Sequence, residues 1–226
     1  MKTTDRTALV IGGTGLVGSC LVEQLLADAQ YSKVVLFVRK ATGLSHEKLE
    51  ENVIDFDDIT AWRDKVRGDV LFSAMGTTLK QAGSKIEQFK VDFTYQYQFA
   101  YIASQNKVPV YVLVSAAGAG TEAYIFYSKI KGMLEDEVKK LRFDHVVILQ
   151  PGPLKGEREQ GRLGEKAGVF IMGRLNALGL FRKYRPIGGD EMAAAMIRLA
   201  EESSEKEQTV TLDAIFPWAE SASAGT

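Results

Sequence analysis

Ala8-Leu9-Val10-Ile11 is a short apolar run that ends at Gly12 and Gly13, after which Leu16, Val17, Leu21, Val22 and Leu25 recur at helical spacing. The pattern predicts a strand, a glycine turn and a helix. Apolar runs return at residues 34–38, 53–56, 70–72, 110–114 and 146–149. Runs that are apolar throughout, rather than at every second residue, belong to a parallel sheet buried on both faces. Most intervals between them are long enough for a crossover helix. The fold class this predicts is α/β, a doubly wound parallel sheet.

Val91, Phe93, Tyr95, Tyr97, Phe99 and Tyr101 fall on every second residue, which taken alone is the period of a half-buried strand. The crossover between the strands ending near Ser73 and beginning near Val110 is nevertheless best made by a helix, so a helix is expected, with aromatic rings on more than one face. Such a surface invites a homodimer. Beyond Gln150-Pro151-Gly152-Pro153 the alternation weakens. Ile171, Leu175 and Leu178 fit one helix face, Asp190 to Glu202 reads as another helix with Asp190 as N-cap, and Gln208 to Leu212 as a last strand. Residues 1–226 are therefore expected to form a single domain in which residues 151–226 supply a small C-terminal cap and a fraying tail.

Composition narrows the function more than the fold. With 28 Lys plus Arg against 29 Asp plus Glu in 226 residues, the net charge of -1 provides no field for phosphate backbones, and nucleic acid is not an expected partner. No apolar run approaches the roughly 18 residues of a membrane span, and the polar start does not read as a signal peptide. Cys20, the only cysteine, together with His46 and His145 cannot assemble a zinc-type cluster, and a reducing cytoplasmic location is expected. A small-molecule site is the remaining class.

Gly12, Gly15 and Gly18 span the first strand-to-helix turn, the context in which glycines allow a tight turn, close approach to a pyrophosphate, and close helix packing. The second strand ends in Val38-Arg39-Lys40, where an acidic residue would hold ribose hydroxyls and a basic one accommodates a 2′-phosphate. The expected cofactor is therefore NADP(H), with NAD(H) second. Asp55 and Phe56 fall where adenine would be met, and Gly76-Thr77-Thr78 lets backbone pass close to the cofactor.

Tyr127 and Lys131 are one helical turn apart after the fifth strand, and Ser115 ends that strand. An ammonium and an oxidised nicotinamide would both favour phenolate, so Tyr127 is a candidate acid/base, Lys131 its pKa-lowering partner, and Ser115 a donor to the substrate oxygen. Neither His46 nor His145 is placed to serve Ser115 as a hydrolase base. Arg174, Arg182, Lys183 and Arg185, interleaved with apolar residues, read as an amphipathic surface.

In this order the motifs resemble the short-chain dehydrogenase/reductase superfamily, in its atypical branch, and most closely the Tat-interacting-protein-like oxidoreductases. The resemblance runs from about Ala8 to Leu199: Gly12-Gly13-Thr14-Gly15-Leu16-Val17-Gly18, Val38-Arg39-Lys40, Gly76-Thr77-Thr78, Ser115, Tyr127-Ser128-Lys129-Ile130-Lys131 and Pro151-Gly152. It implies an NAD(P)-binding Rossmann fold, phosphates on the glycine turn, a Ser115, Tyr127, Lys131 catalytic set, and Pro151-Gly152 near the nicotinamide. Three departures stand out. The superfamily's catalytic Asn after the fourth strand is missing, where Gln96 and Gln98 stand instead. Gln150 replaces an Arg common before Pro-Gly, and Ser115-Ala116-Ala117 keeps one hydroxyl where close relatives often have two. An NADP(H)-dependent oxidoreductase acting on a small apolar carbonyl or alcohol is the expected function, with an NADP(H)-binding sensor as the alternative. A nucleotide-sugar epimerase would need a larger substrate domain than the residues after Gln150 provide.

Overall fold

In the computed structural model, residues 5–155 and 184–220 are described. Seven strands form one sheet: β1 (Arg6–Ile11), β2 (Tyr31–Val38), β3 (Leu49–Val53), β4 (Val70–Ser73), β5 (Val110–Val114), β6 (His145–Gln150) and β9 (Glu207–Thr211). Their order is β3-β2-β1-β4-β5-β6-β9, and every neighbouring pair is parallel. The expected doubly wound sheet is present, extended by β9 at one edge.

Each of the five inner strands divides its side chains between two cores, which explains why their runs are apolar throughout. In β1, Ala8 and Val10 enter the layer shared with helices α1 (Leu16–Ala27) and α7 (Gly189–Glu202), and Leu9 and Ile11 enter the opposite layer. That second layer is built on α5 (Tyr95–Gln105) and α6 (Phe126–Lys139), with α2 (Ile59–Trp62) contributing Trp62, stacked on Phe99 at 4.1 Å between centroids. At about 25 cal/mol per Å² of apolar surface removed from water, such two-sided burial dominates the stability. Close approach of α1 and α7 depends on Gly189, where a Cβ would lie 2.6 Å from the Leu16 carbonyl oxygen.

Between β4 and β5 the chain is helical, as topology required: short α3 (Leu79–Ala82) and α4 (Lys85–Phe89), a π-helical turn at Lys90–Thr94, then α5. The alternating aromatics divide between faces. Phe99 is buried, Tyr95 packs on Phe56, and Phe89, Phe93, Tyr97 and Tyr101 form a ladder along one flank.

Two boundaries differ from expectation. The third strand runs from Leu49 to Val53, so Asp55 and Phe56 lie beyond its end rather than within it. It is an edge strand, and its Glu50, Glu51 and Asn52 need no second apolar layer. The helix expected to be capped by Asp190 has Gly188 as its N-cap, and the Glu191 carboxylate accepts the Gly188 N–H at 2.7 Å. Past β6, β7 (Leu154–Lys155) pairs in parallel with β8 (Ile187–Gly188), and α8 (Phe216–Glu220) closes the described chain against α7. The expected helix through Ile171, Leu175 and Leu178, the basic Arg174, Arg182 and Lys183, and the end of the tail lie outside the described residues.

Candidate active site

Because the sheet is parallel, residues that follow strand ends line up along one edge. Arg39 follows β2, Gly12 follows β1, Gly76 follows β4, Ser115 follows β5 and Pro151 follows β6. The order reverses between β1 and β4, the switch point at which such sheets open a crevice for ligands.

At the centre, Gly12 has φ +81°, and a Cβ there would fall 2.5 Å from the Ala74 and Met75 backbone; one at Gly18 would fall 2.1 Å from the Gly12 oxygen. These glycines let the turn, the helix and the β4 loop meet. Gly15 is the N-cap of α1 and supplies no side chain to the helix N–H groups, leaving the positive end suited to an anion. Thr14 is exposed and Leu16 half-buried, while Val17 packs into the core.

On the β2 side, Arg39 and Lys40 are exposed, and Arg39 lines a cleft of about 470 Å³ with Val53, Ile54, Asp55, Phe56 and Tyr95. An Asp55 carboxylate oxygen accepts the Asp57 N–H at 2.9 Å, and Phe56 is buried against Tyr95 and Phe99. The cleft has an aromatic floor and a polar rim, a lining suited to a purine.

On the β5 side the chain is tied tightly. The Ser115 N–H donates to the Leu149 carbonyl at 2.7 Å and the Ala117 N–H to that of Pro151 at 2.9 Å, which brings Pro151-Gly152 beside the end of β5. A Cβ on Gly132 would lie 2.3 Å from the Gly120 Cα, so the returning loop rests directly on α6. Tyr127 sits half-buried in the first turn of α6, and Lys129 is exposed. Lys131, one turn beyond Tyr127, is 1% exposed, and its ammonium donates to the Val114 carbonyl at 3.0 Å. Burial lowers the Lys131 pKa, opposed by the charges of Asp92 and Glu135.

Asp92 and Glu135 escaped the sequence reading. Glu135 stands one further turn along α6 from Lys131 and is buried. The Ser115 hydroxyl donates to it, and the Gln150 amide donates to both of its oxygens at 3.0 and 2.9 Å. The row Tyr127, Lys131, Glu135 at four-residue steps was the available signal. Asp92, fully buried in the π turn, accepts the Thr77 N–H at 3.2 Å. Burial raises its pKa to about 6, against the nearby Lys131 charge and its bonds to Thr77 and Gln88. An acid flanked by Val91 and Phe93 was the only hint in the sequence.

Other expected residues have local duties. Thr78 caps α3, its hydroxyl accepting the Gln81 N–H at 3.2 Å. Gln96 is buried, accepts the Ser73 hydroxyl at 2.8 Å and donates to the Val91 and Asp92 carbonyls at 3.2 and 3.1 Å, holding the π turn. His46 Nδ1 accepts the Lys48 N–H at 3.1 Å, and His145 pairs with the Glu205 carbonyl at 2.9 Å. Arg185 stacks over Phe216.

A family described as NAD(P)H-binding matches residues 12–175, from the glycine turn past the β6 edge. The chain belongs to this family. Within the NAD(P)H-binding family it is similar to the protein FMP52, mitochondrial, of Eremothecium gossypii, 36% identical over 199 residues that cover 85% of this chain and 88% of that protein. The Saccharomyces cerevisiae FMP52 protein is 32% identical over 88% of this chain and 90% of its own length. Among solved structures, a short chain dehydrogenase family protein from Francisella tularensis superposes with a TM-score of 0.70 at 19% identity, over 94% of this chain and 98% of that one. A UDP-N-acetylglucosamine 4-epimerase from Methanobrevibacter ruminantium gives 0.70 at 18% identity, over 92% of this chain and 76% of that one. These structural likenesses show the fold. The chain is thus an FMP52-like member of the NAD(P)H-binding family whose fold is shared with short chain dehydrogenase structures.

The expectation of a cytoplasmic protein is corrected by the same relatives, which are named mitochondrial at 31–36% identity over most of the chain. A single free cysteine bears on redox state, not on which compartment supplies it.

Proposed function

We propose that the protein is an NADP(H)-dependent oxidoreductase that exchanges hydride with a small, apolar carbonyl or alcohol, and that it works in mitochondria, as its FMP52 relatives are named. The observation that carries this reading is the buried ammonium of Lys131 one turn beneath Tyr127 at the β5 end of the sheet edge. The residues along the edge fit a nicotinamide nucleotide. The uncapped start of α1 would hold its phosphates, the cleft beside Arg39 its adenosine, and Gly76, Pro151 and Gly152 its nicotinamide end. Arg39 and Lys40 favour a 2′-phosphate.

The nicotinamide, when bound, supplies or takes the hydride. Tyr127 exchanges the proton at the substrate oxygen, and the Lys131 charge favours its phenolate form. Ser115 lies at the same edge, and its hydroxyl proton points to Glu135. It therefore meets a ligand hydroxyl as an acceptor unless Glu135 releases it. This one contact favours the second reading, a nucleotide-binding sensor with little turnover. A second copy of the chain against the aromatic flank of α5 is the partner we propose, and mass in solution tests it.

Fluorescence titration with NADPH and NADH, followed by an aldehyde, ketone and quinone panel run with wild type and Tyr127→Phe, decides between the readings. Tighter NADPH binding and activity lost in Tyr127→Phe are expected of the reductase. Binding without turnover in either protein selects the sensor, and binding of neither nucleotide rejects both.

A further inference from the structure

Among the described residues, the buried end of the site holds two carboxyl groups and one ammonium. Asp92, Lys131 and Glu135 are 0%, 1% and 5% exposed. An uncompensated buried charge is costly, so a group with two acids and one base settles by protonating an acid or by admitting another cation. We propose that Asp92 is a proton-storing positioning residue that ties the protein's relative affinity for oxidised and reduced nicotinamide nucleotide to pH. Ionised, it favours the cationic oxidised ring; protonated, it removes that preference.

The choice of Asp92 over Glu135 follows from their surroundings. Both Glu135 oxygens accept bonds, from the Ser115 hydroxyl and the Gln150 amide. Asp92 is faced from the β4 loop by a single backbone donor, Thr77, at 3.2 and 3.4 Å to its two oxygens, from its own helical run by Gln88, and from α6 by the Lys131 ammonium. Lys131 is committed to the Val114 carbonyl and shared with Glu135. Asp92 is thus the weaker-held acid, and burial already places its pKa at about 6, inside the range in which a protein works. Its position suits the role. A Cβ on Gly76 would come 3.3 Å from its Oδ1, and the β4 loop that carries Gly76 rests against Gly12 of the glycine turn. The π turn places its carboxyl there, with the Gln96 amide holding the turn's Val91 and Asp92 carbonyls.

The inference rests on the nicotinamide reading of the site, and its test separates the two. Calorimetry of wild type with NADP⁺, NADPH, NAD⁺ and NADH from pH 5 to 8, in two buffers of different ionisation heat, reports affinity and protons exchanged. Near pH 6 NAD⁺ is expected to release a fraction of a proton on binding and NADH not, and NADP⁺ to release that fraction more than NADPH, since the 2′-phosphate gives up the same proton in both. The affinity ratio of oxidised to reduced nucleotide should rise about fivefold from pH 5 to pH 8, the part of a one-unit fall in the Asp92 pKa on binding that this range spans. Asp92→Asn should bind both forms with a flat ratio and no difference in proton release between oxidised and reduced nucleotide. Carboxyl carbon NMR of the free protein should show Asp92 titrating near 6 without any nucleotide. A flat ratio in wild type, or an equal slope in Asp92→Asn, overturns the inference and leaves the nicotinamide reading standing. Failure of wild type to bind any of the four nucleotides overturns both, even with Asp92 titrating as expected.

Discussion

The two ends of the sheet edge carry charge in opposite ways. Beside β2, Arg39 and Lys40 stand in water, where the solvent dielectric weakens every interaction and salt screens it. Beside β5, Asp92, Lys131 and Glu135 are enclosed, and each group's state depends on the others. The exposed end can be altered without disturbing the fold, and in the function proposed above it would read a ligand's charge by contact. The enclosed end cannot be altered piecemeal, and in return it perturbs proton affinities, the property that acid–base chemistry needs.

The sharpest break in this contrast is charge removal at each end. Lys131→Met strands two buried carboxyl groups and should cost about 3–5 kcal/mol in urea unfolding, whereas Arg39→Met should stay within about 0.5 kcal/mol. Equal costs would mean that the enclosed trio is open to water.

Asp92 gives the next largest effect. Its folded pKa lies above its unfolded one, so the folded state binds the extra proton, and this contribution is complete below about 4 and lost as pH rises through about 6. Relative to Asp92→Asn, wild type should lose about 1–3 kcal/mol of stability between pH 4 and pH 7, read from denaturant midpoints at each pH. A parallel pair of pH profiles would remove Asp92 from the account.

Gln150→Leu takes both amide bonds from Glu135 and should cost about 1–2 kcal/mol. The smallest effect is expected at the exposed end: Arg39→Ala should weaken NADPH about tenfold, with little change for NADH, and the difference should shrink in 0.5 M salt. An equal loss for both nucleotides would place Arg39 away from a 2′-phosphate.

What the sequence revealed follows the same division. Strands buried on both faces advertise themselves, since residues such as Leu9, Val10 and Ile11 have no polar alternative on either side. Edge strand β3 is half polar, so its limits could not be read, and the apolar Ile54 and Phe56 drew the boundary too late. The glycine turn and the Tyr127, Lys131 pair are local in sequence, with spacings that encode their geometry. Asp92 and Glu135 acquire meaning only when the β4 loop, the π turn and α6 are folded together, with Thr77 15 residues before Asp92 and α6 roughly forty after it. An acid on a helix ordinarily signals solvent, and only the fold shows these two enclosed. The Gln150 departure was visible, but its partner was not.

The parallel pair Leu154–Lys155 and Ile187–Gly188 bears on how such a protein changes over time. Two points of the chain more than thirty residues apart in sequence are fixed side by side by this pairing. Closing a longer excursion costs only about 0.6 kcal/mol for each doubling of length. Two such anchors are therefore a convenient place for an inserted segment, whether it arrives in a duplicated gene or by design.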